Sequence, residues 1–397
     1  MSLTLYLNRR EWFQHLEVME ERYPDYVPVI KGNGYGFGNG YLADAALHKG
    51  KRSVCVGTVE EARELEQAGS FDEILILTPV LTELTYEDMA DNRVFTVGSS
   101  AQLDHLIRSF ESLCQGQPSI WGRNGEPFCL SVLIKCQSPM KRYGFPLEEA
   151  GRLRSLLTES TQSSSLRIQV KGFSIHFPQT GVSDGEKERL VADWIREAVE
   201  WKLPTPRLFI SHVSSSLYAK LRKNHLEIQF AMRLGTELWL HDKSFFETKS
   251  TVLDVKSVQK GERFGYKQQP AKKSGTLVFV SGGTANGVGL EAPVATRSLK
   301  DRLKLTAFWL LSLVNRHLSP YTYQGKRTWF AEPPHMQTSV LLFPEGSKAP
   351  EVGEELPVTL RMTTAHFDQC VERESEEKTE EKISQSQVAD RHLNALP

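Results

Sequence analysis

Through about residue 245 the chain alternates two textures. Short apolar runs of strand character fall at 27–31, 53–57, 73–77, 94–97, 129–135, 169–176, 208–212 and 228–233. Between them lie stretches whose apolar residues recur at helical spacing, at 59–68, 100–113, 146–157 and 185–201. A leading helix is expected over 8–23, with Asn8 as N-cap, Trp12, Phe13, Leu16 and Met19 on one face, and Pro24 beyond its end. Strands apolar on both faces and separated by helices imply a parallel sheet covered by helices. Eight such strands imply an α/β chain with an N-terminal (β/α)8 TIM barrel, whose functional groups gather at the carboxyl ends of the strands. Lys31, Lys135, His176, His212 and Arg233 all fall at such ends.

After residue 245 the pattern becomes β-rich, with strands expected at 251–258, 276–280, 339–343 and 357–363. Lys260-Gly261-Glu262 and Val352-Gly353-Glu354 are turn signals leading into strands. An apolar-periodic helical insertion at 300–318 is expected to pack, with a subunit contact as its other use. The division is therefore a barrel at 1–245, a C-terminal mainly-β domain at 246–371, and a charged tail at 372–397 expected to be disordered or loosely helical.

Composition narrows the function. At 397 residues the chain suits a barrel plus a smaller domain. Its 48 basic and 49 acidic residues are interspersed, leaving a net charge of -1 and no basic footprint for nucleic acid or membrane. The expected partners are a small molecule and a second copy of the chain. Cys55, Cys114, Cys129, Cys136 and Cys370 are scattered, without metal-ligand spacing, and read as reduced thiols of a cytoplasmic protein with no metal site. Residues 1–25 lack an apolar signal core, and no later run approaches bilayer length.

The stretch Val29-Ile30-Lys31-Gly32-Asn33-Gly34-Tyr35-Gly36-Phe37-Gly38 carries the most chemistry. An apolar strand delivers a lysine into a glycine-rich turn, where backbone can approach a ligand closely. Taken alone, such a lysine is also an ordinary solvated strand end. The whole run resembles the cofactor-lysine motif of the alanine racemase family, fold-type III enzymes that use pyridoxal 5'-phosphate. The resemblance implies a Schiff base at Lys31 and a phosphate contact from the Tyr35 hydroxyl. It continues through Met140-Lys141-Arg142, which implies Arg142 as partner of the cofactor's phenolic oxygen and of the substrate. Lys135 stands where some members carry a carbamylated lysine, although Gln137 and Pro139 depart from the family pattern there. Gly172-Phe173-Ser174-Ile175-His176-Phe177 resembles the strand end whose histidine stacks on the pyridine ring. Ser211-His212-Val213-Ser214-Ser215-Ser216 resembles the phosphate turn, with Ser215 as the family serine. Phe230-Ala231-Met232-Arg233-Leu234-Gly235-Thr236 matches the motif in which Arg233 would donate to the pyridine nitrogen and the N–H groups of Gly235 and Thr236 would hold phosphate. Arginine keeps its proton, which would favour reversible proton transfer over reactions that need a deep electron sink.

The pattern breaks in the second domain. Thr284, in Gly283-Thr284-Ala285-Asn286-Gly287, replaces the tyrosine expected as the opposite-face base, and a threonine hydroxyl does not ionise near neutrality. Gln337 and Pro333 also depart, in a segment where Pro334-His335-Met336 resembles the substrate-carboxylate site. His335 and Tyr266 are the substitute acid/bases available from this domain, and each also reads as an ordinary surface or strand residue. The expected function is a racemase-like enzyme of a homodimer with shared active sites, acting at the α-carbon of an amino acid. Its alternatives are a one-base enzyme such as a decarboxylase, or a non-catalytic cofactor-binding protein.

Overall fold

The computed structural model describes residues 2–116, 127–160, 166–203, 206–290 and 298–373. The chain opens with a strand that the apolar pattern did not reveal, β1 (Leu3–Asn8), followed by α1 (Arg9–Arg22). The Asn8 side chain accepts from the Glu11 N–H at 3.2 Å, the N-cap bond expected of it.

One compact unit comprises His15–Gly34 and Asn39–His241. It is the barrel. Its strands are β2 (Tyr26–Pro28), β3 (Ser53–Val56), β4 (Glu73–Ile76), β5 (Arg93–Val97), β6 (Phe128–Cys136), β7 (Leu166–His176), β8 (Arg207–Ser211) and β9 (Gln229–Leu234). They pair in parallel in the order β2-β9-β8-β7-β6-β5-β4-β3. The ring closes through a single bridge between Val29 and Cys55, with Ile30 N–H donating to the Cys55 carbonyl at 2.8 Å. Regular pairing of the first strand stops at Pro28, so Lys31 rides on the turn beyond the strand rather than on the strand itself.

The crossovers include α2 (Asn39–His48), α3 (Val59–Ala68), α4 (Ser100–Gly116), α5 (Ala150–Ser160), α6 (Asp184–Glu200) and α7 (Ser215–Asn224), and α8 (Thr236–Trp239) follows β9. Thr58 and Glu61 form a capping box on α3, as Ser183 and Glu186 do on α6. Inside the ring, Val27, Val29, Cys55, Leu75, Val94, Leu133, Phe209 and Ala231 pack as one cluster drawn from every strand except β7. There Gly172 stands at φ +147, and a β-carbon on it would meet the Arg207 carbonyl oxygen at 2.5 Å.

The other unit comprises Met1–Gln14, Tyr35–Gly38 and the chain from Asp242 onward. It contains β10 (Phe246–Val258), the short ribbon β11 (Arg263–Phe264) and β12 (Gln269–Pro270), then β13 (Gly275–Ser281). After α9 (Leu299–Leu313) come β14 (Leu318–Tyr323), β15 (Lys326–Phe330), β16 (Thr338–Pro344), β17 (Glu355–Pro357) and β18 (Gln369–Arg373). The main sheet runs β14-β15-β16-β13-β10-β1-β18, with β17 also on β10. β1 lies antiparallel to β10 and parallel to β18, so the first residues belong to the sheet unit rather than to a barrel starting at residue 1. Leu3 joins Val252, Val278, Val280, Tyr321, Leu341 and Leu356 in its core.

Three expectations for this unit change. The strand expected over 357–363 is confined to Glu355–Pro357, and Met362–Thr364 forms a 3-10 turn. The insertion ends at Leu313, with Leu318 already in β14, and its apolar residues are exposed rather than packed: Leu303 by 64%, Trp309 by 61% and Leu313 by 61%. Glu372 and Arg373, assigned to the tail, pair in β18; residues 374–397 lie outside the described residues.

Candidate active site

The turn after β2 is built around glycine and two carboxylates. Gly32 and Gly34 adopt φ +65 and +59, and a β-carbon on Gly34 would come within 2.6 Å of the Asn39 nitrogen. Asn39 answers by donating to the Gly32 carbonyl at 3.2 Å and to Glu64 at 2.8 Å. Glu61 accepts from Gly32 N–H at 2.6 Å through one oxygen, and from Gly57 and Thr58 N–H at 2.5 and 3.2 Å through the other. One side chain thus braces the turns after β2 and β3. Gly57 is needed as well, because a β-carbon there would press on Glu61 and touch the Lys31 side chain.

A cavity at the carboxyl ends of the strands is lined by Lys31, Gly57, Leu77, Thr78, Lys135, Cys136, Ser138, Met140, Arg142, Tyr143, His176 and Arg233. Four of these are lysines or arginines, and none is a carboxylate. Burial, then the charges of Arg142 and Arg233, lower the Lys31 pKa. Burial and Arg233 push Lys135 down to about 6, so its amine is largely neutral at pH 7. Burial drives Cys136 up to about 12, leaving an inert thiol.

Arg233 is buried at the end of β9. Its Nη2 donates to Ser211 Oγ at 3.0 Å and to the Ile175 carbonyl at 3.2 Å, while its Nε has no partner. Ser211 Oγ, which accepts from Arg233, also lies within hydrogen-bond distance of His176 Nδ1, 3.0 Å away. Burial and Arg233 hold His176 neutral, with a pKa down to about 2. Ser138 donates to the His176 carbonyl at 2.7 Å, and the His212 ring meets the His176 ring edge-on at 4.9 Å. His212 is also depressed by burial and Arg233.

The phosphate-turn residues divide. Ser214 caps α7, accepting from Leu217 N–H at 3.1 Å and donating to Asp184 at 2.5 Å, while Ser215 is exposed in the first turn. Gly235 and Thr236 open α8 at the end of β9. Tyr35 is buried at φ +55 and groups with the sheet unit.

The second-domain residues form a site of their own. Thr284, His335, Met336 and Tyr266 line a cavity of about 450 Å³ together with Glu332. Thr284 donates through its hydroxyl at 3.4 Å and its N–H at 2.8 Å, both to the His335 carbonyl. His335 Nε2 meets Glu332 at 3.0 Å, and Glu332 also accepts from Tyr266 N–H at 3.0 Å. Sequence reasoning missed Glu61, Ser211 and Glu332, each of which acts by orienting a neighbour. Among the described residues no cluster could hold a metal ion, and no helix is long and apolar enough to cross a membrane.

A family profile described as "Alanine racemase, N-terminal domain" matches residues 8–241, more than half of the chain. The chain belongs to the alanine racemase family. Two relatives called alanine racemase, from Lawsonia intracellularis and Streptococcus equi subsp. zooepidemicus, are each 28% identical, over 168 and 253 residues. Those stretches span 42% and 60% of this chain but only 41% and 62% of the relatives, less than two thirds of their length. Among solved structures, the alanine racemase of Clostridium difficile superposes with a TM-score of 0.64 at 17% identity, covering 94% of this chain and 96% of that one. The Bartonella henselae alanine racemase with covalently bound pyridoxal phosphate gives 0.61 at 16%, covering 94% of this chain and all 100% of its own. The shared fold is thus a family barrel followed by a sheet domain.

Proposed function

We propose that this chain is a pyridoxal 5'-phosphate enzyme that acts at the α-carbon of an amino acid, with racemisation as its reaction. The observation that carries the reading is the buried Nε of Arg233, a donor without a partner at the edge of a cation-lined, carboxylate-free cavity. Leaving such a donor unsatisfied costs about 1–3 kcal/mol. A ring nitrogen with a free lone pair would satisfy it, and an anionic phosphate and phenolic oxygen would answer the surrounding charge.

When bound, the cofactor supplies a carbonyl that condenses with amines and a conjugated ring that weakens the neighbouring C–H bond. Lys31 supports attachment because its lowered pKa enlarges the neutral fraction, the form that attacks a carbonyl. Arg233 donates without ever releasing its proton. Gly235, Thr236 and the first turn of α7 at Ser215 offer N–H groups to phosphate. His176, held neutral, offers a ring face. Arg142 suits the substrate carboxylate, and Met336 with His335 suits its outer side, as a homodimer with shared sites would require.

Borohydride reduction of the cofactor-loaded protein, followed by peptide mapping, tests attachment. The expected result is a mass increase on the Lys31 peptide, absent in Lys31→Ala; no adduct sinks the proposal. Incubating L- and D-amino acids in deuterated water then separates the outcomes. Exchange with inversion supports racemisation, CO₂ release means a decarboxylase, and an adduct with no exchange means a binding protein.

A further inference from the structure

Lys31 and Lys135 enter one cavity from opposite walls. In the ring β2-β9-β8-β7-β6-β5-β4-β3, the strand that carries Lys135 lies four places from β2 in either direction, the farthest separation the barrel allows. Both side chains line the same cavity. The backbone of Lys135 is fixed on both sides: it pairs with Ser174 of β7, and its carbonyl accepts from Phe145 N–H at 2.8 Å, while Gln137 N–H donates to the Phe145 carbonyl at 2.8 Å. The charged and titratable groups that act on it or face it are Arg233 from β9, its neighbour Cys136, Arg142 from the loop after β6, and His176 from β7. No carboxylate is among them, and among the described residues no ion pair or hydrogen bond engages its amine.

A buried amine ringed by cations rests as the free base, and a free base in this position has a lone pair to offer the cavity. We propose that Lys135, as its free amine, is the acid/base on the face of the substrate's α-carbon opposite Lys31. This rests on the reading of the chain as an enzyme acting at that carbon. The lone pair of Nζ takes the α-proton: the C–H bond breaks, an N–H bond forms, and the electron pair stays with the carbon. The resulting ammonium returns a proton to the same face in the reverse direction, and Lys31 does the same on the other face. Both proton carriers then come from the barrel. Thr284, its hydroxyl given to a backbone carbonyl, is not needed as a base.

Lys135→Met in the loaded enzyme tests this, since methionine keeps the volume and removes only the amine. The variant should still be trapped at Lys31 and still exchange the α-proton of one enantiomer in deuterated water. Exchange of the other enantiomer and inversion should fall about 10²–10⁴-fold, and methylamine should restore part of the loss in Lys135→Ala. Added bicarbonate should slow the parent, because a carbamate on Lys135 has no basic lone pair. Overturning results are equal exchange of both enantiomers in Lys135→Met, faster inversion with bicarbonate, or loss of one enantiomer's exchange in His335→Gln with Lys135→Met unaffected. A separate readout uses cofactor-free protein reductively methylated with ¹³C-formaldehyde. The lysine signal missing from Lys135→Met should titrate near 6, whereas a midpoint above about 9 refutes the proposal even if the parent turns nothing over.

Discussion

Arg233 shows why one guanidinium cannot be exchanged for another cation. Its two contacts, both from Nη2, fix its plane, and its buried Nε–H has no partner among the described residues. Arg233→Lys keeps the charge but loses the fork, so His176 loses its indirect anchor through Ser211 as well. Cofactor affinity should fall about 10- to 100-fold, the worth of one or two charge-assisted hydrogen bonds, measured by absorbance titration. Lys135 makes a different prediction, about pH. Its pKa is about 6 in the fold against an ordinary 10.5, so between those values the unfolded chain binds more protons. Stability contributed at this site therefore rises with pH and is lost as pH falls from about 10 to about 6, at a limiting slope of about 1.4 kcal/mol per unit. Lys135→Met removes that slope. Urea melts should show the variant gaining on the parent as pH drops through this window, with no further gain below it.

At the scale of elements, the turn after β2 works as a joint locked by α3. Removing the Glu61 carboxylate in Glu61→Ala leaves the N–H groups of Gly32, Gly57 and Thr58 without their acceptor. Stability should drop by about 1–3 kcal/mol in chemical denaturation, and trapping at Lys31 should slow because the lysine loses its fixed approach. The helix that supplies Glu61 was legible in the sequence to the residue, since its apolar residues recur at helical spacing over 59–68, although the capping box of Thr58 and Glu61 that starts it was not read. So were the eight barrel strands and the positions of Lys135, His176 and Arg233 near their ends, because parallel strands buried on both faces read as continuous apolar runs. β1 was not. Its six residues have an alternating texture too short to stand out, and their partners β10 and β18 lie far along the chain. Glu61, Ser211 and Glu332 were hidden for a related reason: a residue that acts by holding another reveals its role only when the two meet in space. The end of β2 was misread because Val29 and Ile30 continue the apolar run, while the pairing there narrows to the bridge that closes the ring.

For the whole molecule, α9 stands apart. Nearly every residue from Ser298 through Arg316 whose side chain is described is exposed, including Leu303 and Leu310, so this helix adds little to the folded chain's own core. Replacing both leucines with glutamate should leave the stability of the monomeric fold within about 0.5 kcal/mol per site, measured by thermal melting. A large loss of stability would show that the helix is part of the core after all. The sheet unit depends instead on two segments far apart along the chain. Leu3 N–H donates to Asp368 at 2.8 Å, Asp368 N–H returns a bond to the Leu3 carbonyl at 2.9 Å, and the Leu3 side chain is fully buried. Leu3→Ala should cost about 2–5 kcal/mol, read as earlier unfolding of that unit by hydrogen exchange along β10 and β13.

The place of β1 in the sheet also dictates the order of assembly on the ribosome. β1 cannot find its neighbours β10 and β18 until the whole barrel that separates them along the chain has been made, whereas β3 to β9 each pair with the strand made next to them. Until then β1 is a strand with both edges open, the kind of segment that invites a wrong partner.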